Sequence, residues 1–308
     1  MELSLRDDQP DHLFPGGMYL GKGEIVNERM KCLKPIQTIQ FWLLGIAAGL
    51  ISLHLHLAWR SDNNDLFSSS LLFWVAILFS LGKKGDRLNL QSGVFASFFG
   101  ASLIAWLLFK SLYLVGDDFF GRLSPFISVF SLSLLASGFK GLKQYTEELL
   151  LASFIAIPWE KLLYLFIDLS VLTAQFSSFF LWLLGFEVKR QGVIVILPTG
   201  SIEVYNGCAG LKLMLQLLGL VLIFLVMVPT SRKAKILLPL AAILLGFVIN
   251  GMRVALMAVL VALSDQDAFK YWHLGEGSLI FSAIAVLILG ICGAGFIQSP
   301  AQPPKSKI

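Results

Sequence analysis

Charge is scarce in this sequence: Asp, Glu, Lys and Arg make up 14% of its 308 residues, against about 25% in an ordinary soluble domain. That scarcity excludes a soluble fold with one apolar core beneath a solvated surface. The net charge of +4 gives no reason to invoke a nucleic-acid partner. Cysteine and histidine are scarce too, and no Cys/His spacing resembles a zinc site, so no metal and no cofactor is expected. Residues 1–35 lack an apolar run and carry Asp7, Asp8 and Asp11, so no cleavable signal peptide is read there. Internal repeats, low-complexity segments and domain linkers are missing as well.

What is present is apolar sequence, 56% of the chain. A helix needs about 20 mostly apolar residues to cross a bilayer, because lipid leaves no partner for an unpaired backbone group. Apolar windows fall at roughly 38–58, 66–82, 91–115, 123–139, 147–159, 207–228, 236–258 and 275–296. The expected fold is therefore an all-α polytopic membrane protein with about eight transmembrane helices. A cytoplasmic arm over 1–37, a single transmembrane domain over 38–297 and a cytoplasmic tail over 298–308 complete the expected organisation. Lys22, Arg29, Lys31 and Lys34 precede the first window, and Lys83, Lys84, Arg87, Lys140, Lys143, Arg232, Lys233 and Lys235 fall in alternate loops. The positive-inside rule then puts both termini in the cytoplasm of a cell bounded by a plasma membrane.

Residues 159–206 form an insert that this topology places outside. Leu162, Leu163, Phe166, Leu169, Leu172 and Phe176 recur at helical spacing, with Asp168, Ser170, Thr173 and Gln175 between them. The pattern predicts an amphipathic interfacial helix. Beyond Gly185, two β-rich runs flank Pro198-Thr199-Gly200 and predict a small hairpin before the sixth span.

Three residues stand out for their chemistry. Arg253 lies inside the seventh window, 17 residues or ~26 Å from Ile236 along a ~30 Å core, with Asn250 one turn earlier on the same face. An ionisable residue within a span is a functional candidate by default, although an arginine at that depth also fits snorkelling to headgroups. Cys208 opens the sixth window. With Asn206 as N-cap it would sit in the first helical turn, where the dipole favours a thiolate, and Lys212 would add to that effect if its ammonium reached back. A lone cysteine also fits a small buried hydrophobe, the reading given to Cys32 and Cys292. His273 stands just before the last window among aromatic residues, where an interfacial role is the bland alternative; at a helix start its imidazolium would be disfavoured. His54 and His56 read as interfacial packing. The topology brings Cys208, Arg253 and His273 to one membrane boundary on three successive spans. A thiol, an imidazole and a guanidinium suffice for acyl transfer.

These residues also resemble a known family. Asn206-Gly207-Cys208-Ala209-Gly210-Leu211, Asn250-Gly251-Met252-Arg253 and His273 followed by Gly277 are similar, in order and spacing, to the cysteine, Asn-x-x-Arg and His-x-x-x-Gly motifs of the exosortase/archaeosortase family. Ala209 is similar to the cyanobacterial branch, and the matching region runs from about residue 40 onward. The resemblance implies a membrane cysteine transpeptidase or protease whose partners are exported proteins with a C-terminal sorting signal: a Pro-Glu-Pro-type motif, a transmembrane helix and a basic tail. It implies Cys208 as nucleophile, Arg253 as oxyanion or substrate-positioning residue and His273 as acid/base. The competing readings are a transporter or lipid-handling protein, with Arg253 and Lys212 binding an anionic headgroup, and a non-catalytic scaffold subunit.

Overall fold

Long apolar runs with few β-branched interruptions become helices wherever lipid must be faced, and most of the chain follows that rule. The computed structural model describes residues 39–61, 63–113, 119–273 and 275–296. The arm over 1–37 and the tail over 298–308 read from the sequence lie outside these. The backbone divides into Met1–Gly49 and Leu50–Ile308; of the first unit only the opening turns of the first helix are described.

The helices are α1 (Ile39–Arg60), α2 (Asn64–Lys84), α3 (Val94–Ser111), α4 (Phe119–Gly141), α5 (Thr146–Ala156), α6 (Trp159–Leu163), α7 (Ser170–Leu183), α8 (Leu211–Met227), α9 (Ala234–Ala262), α10 (Gln266–His273) and α11 (Gly277–Ala294). Strands β1 (Lys189–Gln191), β2 (Ile194–Leu197) and β3 (Gly200–Glu203) separate α7 from α8. Six described helical stretches are long and apolar enough to cross a membrane: α1, α2, α3, the run Phe119–Ala156, α9 and α11. The protein is a polytopic all-α membrane protein. The fourth and fifth windows meet in that one run. Gly138, at φ +65°, breaks it near Gly141, and α4 and α5 then pack side by side. The sixth window yields the shorter apolar helix α8.

The helical part of the insert departs from expectation in two ways. The predicted amphipathic helix breaks after Leu163 and restarts at Ser170, whose N–H donates to the Asp168 carboxylate at 2.9 Å. Its amphipathy is also inverted. α7 buries Ser170, Thr173, Ala174, Ser177 and Leu181, while Val171, Leu172, Phe179 and Trp182 are exposed. Small and hydroxyl-bearing residues let helices approach closely and bond across the gap, which is how intramembrane interfaces form without a hydrophobic drive. Ser177 Oγ accordingly donates to the Gly251 carbonyl of α9 at 2.9 Å. Gly251 has no Cβ because Phe176 lies across it, 2.3 Å from where one would stand.

The hairpin proves to be a three-stranded antiparallel meander, in the order β1-β2-β3. The extra strand arises because Gly192, at φ +58°, turns Lys189–Gln191 back onto Ile194–Ile196. Val195, Leu197 and Val204 are buried with Ala174 and Leu181 of α7 and Val254, Ala255 and Ala258 of α9. Thr199 Oγ1 donates to the Ala262 carbonyl at 2.7 Å, so the sheet is tied to the end of α9.

Candidate active site

The chain leaves β3 through Val204, which is buried, and Tyr205, which is extended, and then closes a 3-10 turn over Asn206–Cys208. The Cys208 N–H donates to the Tyr205 carbonyl at 2.8 Å, and the Ala209 N–H to that of Asn206 at 3.1 Å. Gly210, at φ +95°, reverses the backbone so that α8 can start at Leu211. Asn206 is therefore not the N-cap of α8, and Cys208 lies in the turn ahead of the helix rather than in its first turn. The Asn206 side chain is used elsewhere: its Oδ1 accepts from Ser170 Oγ at 3.2 Å.

That turn is held from two further helices. Thr173 Oγ1 of α7 donates to the Ala209 carbonyl at 2.9 Å. Asn250 Nδ2 of α9, itself buried, donates to the Cys208 carbonyl at 2.8 Å. The fit over Asn250 is close, since a Cβ on Gly210 would stand 2.8 Å from Asn250 Nδ2. Asn250 thus positions the cysteine backbone, leaving the sulfur free to face α10.

His273 reaches the sulfur from α10. Ser264, at φ +56°, and Asp265 link α9 to this helix, and Asp265 Oδ1 takes the Ala268 N–H at 2.9 Å. His273 Nε2 stands 3.7 Å from Cys208 Sγ, both partly buried. Arg253 Nη2 donates to the His273 carbonyl at 2.9 Å. The guanidinium is thus turned into the protein, not snorkelling to a headgroup, and its Nε is buried without a partner among the described residues. Gly277 starts α11 beneath the same segment. A Cβ there would meet Tyr271 and Trp272 at 2.8–2.9 Å.

His273 ends α10 rather than starting a helix. The helix-start dipole anticipated from the sequence therefore does not apply, and a C-terminal position would favour the imidazolium. Its titration is nonetheless shifted downward, first by burial and then by the Arg253 charge. The neutral imidazole is favoured, as expected, but for a different reason.

Lys212 does not serve the thiol. Its ammonium pairs with Asp65 at the start of α2. Among the described residues no group of His, Cys, Asp and Glu could hold a metal ion. Cys292 is exposed on α11, whereas Cys32 lies outside the described residues. His54 corrects the interfacial reading: it is buried, with Nδ1 2.7 Å from Ser124 Oγ and Nε2 3.0 Å from Ser70 Oγ.

Two tyrosines beside the sulfur were not anticipated. Tyr164 is pushed up to about 12, by burial first and then by Glu160 and Cys208. Its hydroxyl donates to Glu160 Oε1 at 3.2 Å. Tyr205 is raised as well, chiefly by hydrogen bonding to Cys208 and then by that residue's charge.

The sequence model of the transmembrane exosortase family matches residues 59–290. The probable archaeosortase E of Methanocaldococcus jannaschii is 22% identical over 104 residues, covering 34% of this chain and 54% of that protein. The chain thus spans about half the length of this curated relative. No solved structure matches. The family match runs from the end of α1 into α11 and encloses every element that shapes the Cys208 turn, so the chain belongs to the transmembrane exosortase family.

Proposed function

We propose that this protein is an integral-membrane cysteine transpeptidase or protease that cleaves exported proteins at a C-terminal transmembrane sorting signal. One observation carries the reading. Cys208 Sγ and His273 Nε2 stand 3.7 Å apart, contributed by different elements, and Arg253 anchors the histidine's own carbonyl. A thiol–imidazole pair at that separation tightens readily when substrate excludes water.

In this mechanism Cys208 gives its proton to His273 and attacks the scissile carbonyl. Arg253, whose Nε–H is buried and without a partner among the described residues, receives the developing oxyanion. His273 then protonates the leaving amine, and the thioester passes either to water or to an acceptor amine. The neutral His273 favoured by burial is the form needed for the first step. The distribution of loop charges supports a site on the outer face of a plasma membrane. The anion-binding alternative has less support, because Lys212 is committed to Asp65.

The experiment is co-expression with a reporter protein ending in a Pro-Glu-Pro-type motif, a transmembrane helix and a basic tail. Cys208→Ala should abolish processing while the protein remains in the membrane at the parent level. Normal processing by that variant would end the cysteine mechanism. Mass spectrometry of the product C-terminus separates hydrolysis, which leaves a free carboxylate, from transfer, which leaves an added group.

A further inference from the structure

We infer that a groove beside α8 seats the start of the substrate's transmembrane helix, and that Gln216, with Ser68 and Ser282, takes the unpaired backbone N–H groups of that helix start. The inference rests on the acyl-transfer reading above and names where its substrate docks.

The sequence of α8 marks the place. Along Leu211–Met227 every side chain is apolar except Lys212 and Gln216. They stand four apart, so they share one face a turn from each other. An amide on the outside of an apolar helix is unfavourable in lipid unless something pairs with it. Gln216 is exposed, and its side chain has no hydrogen-bond partner among the described residues.

The fold turns that face into a groove. α2 and α11 both pack against α8, and a cavity of about 560 Å³ runs between them. The three helices begin at one level. Lys212 pairs with Asp65 at the start of α2, and α11 follows closely on His273, which reaches Cys208 just ahead of α8. Ser68 of α2, Gln216 of α8 and Ser282 of α11 each lie four or five residues beyond their helix's first residue, or ~6–8 Å along its axis. All three line the groove, and the two serine hydroxyls also have no partner among the described residues. Hydroxyl and amide groups thus meet one cavity at one depth. Phe73 and Phe154 line it too, stacked with centroids 5.6 Å apart. Gly219 of α8 makes room for them, since a Cβ there would stand 2.9 Å from Phe154 Cε1.

The position relative to Cys208 identifies the occupant. Cys208 lies shortly before α8, and the groove includes Lys212, four residues on. The scissile carbonyl must reach the sulfur, so the substrate residues that follow it must enter the membrane beside the head of α8. The first N–H groups of any helix lack an intrahelical partner, and lipid supplies none. An amide oxygen and two hydroxyl oxygens at that depth can accept them, as capping side chains do within a single chain. A phospholipid headgroup fits less well. Lys212 is paired with Asp65, the carboxylate of Glu160 also lines the groove, and the groups at depth are neutral.

Two measurements test this, using purified protein in lipid nanodiscs and a synthetic reporter of the design above. Gln216→Leu removes an exposed amide that holds nothing within the protein, so the thermal midpoint should be unchanged. KM should rise roughly tenfold, with kcat within about twofold. A reporter in which one first-turn N–H of the transmembrane helix is replaced by an ester oxygen should show the same loss with the parent protein. At the matching position it should show no further loss with Gln216→Leu, which a general change in the groove would not produce. Separately, a benzophenone amino acid replaces Leu279, which lines the groove, in the Cys208→Ala protein. Irradiation should crosslink it to the first turns of the reporter's transmembrane helix. An unchanged KM in Gln216→Leu, additive losses with every ester reporter, or crosslinks to phospholipid alone would overturn the inference. If Cys208→Ala still processes the reporter, the acyl-transfer reading falls instead, and the crosslink reports on docking independently.

Discussion

Before Pro158, the buried titratable groups close on polar partners; after it, Arg253 is left partly open. His54 sits between Ser70 and Ser124, tying α1, α2 and α4 together. Ser124 Oγ donates to the Gly121 carbonyl at 2.7 Å, so it must accept from His54 Nδ1–H, and Ser70 donates to Nε2. Glu148, fully buried, takes Ser80 Oγ at 2.6 Å and Lys84 Nζ at 3.0 Å. In the later region the 3.7 Å thiol–imidazole approach is loose, and Arg253 Nε has no partner. Four buried side-chain atoms lack partners among the described residues, Trp74 Nε1, Ser178 Oγ, Thr230 Oγ1 and Arg253 Nε, and only the last is charged. A buried charge with an idle donor is the most unfavourable of these to maintain. The first region uses its buried titratable groups to fix helices, while the second leaves the Arg253 Nε donor open, as the proposed mechanism requires.

The comparison can be broken most forcefully at Arg253. Arg253→Lys keeps the charge but loses the planar fork that spans the His273 carbonyl and the idle Nε. Processing should fall roughly 10²-fold or more, with the protein's thermal midpoint little changed. Near-parent processing would show that any cation suffices there.

At the other end the opposite pattern is expected. Lys84→Met leaves Glu148 buried with Ser80 as its remaining donor in this cluster. Stability should drop by roughly 3 kcal/mol, read as a lower thermal midpoint in detergent, while processing per folded molecule stays within about twofold. A selective loss of catalysis with unchanged stability would contradict the division of roles.

The smallest effect concerns pH. Burial and the Arg253 charge lower the His273 titration, so the free base survives to more acidic pH than an ordinary histidine near ~6.5. The acid limb of the processing profile should therefore lie below that value. Arg253→Gln removes the second cause, and the His273 titration followed by NMR should move upward. No movement would remove Arg253 from the electrostatics of the histidine.

Lipid imposes helix on apolar runs, so most of the described spans were legible from hydropathy, and so was the clustering of Cys208, Arg253 and His273. Local backbone devices were less so. The αL glycine at 210 and the 3-10 turn before it moved Cys208 out of the helix, because short-range capping rules did not register the pull of Thr173 and Asn250 on that turn. α7 reversed its expected faces because hydroxyls and small residues pack inward within a bundle. Pairings such as Lys212 with Asp65 and His54 with Ser124 join residues far apart in sequence, and no periodicity encodes them.

The central claim is that Cys208 carries the substrate acyl group, and intact-protein mass spectrometry tests it most directly. Purified protein mixed with the reporter and quenched in acid should show a mass increase equal to the acyl fragment, mapped to Cys208 and removed by hydroxylamine. Release of processed reporter by Cys208→Ala, or an adduct mapped to another residue, would contradict it.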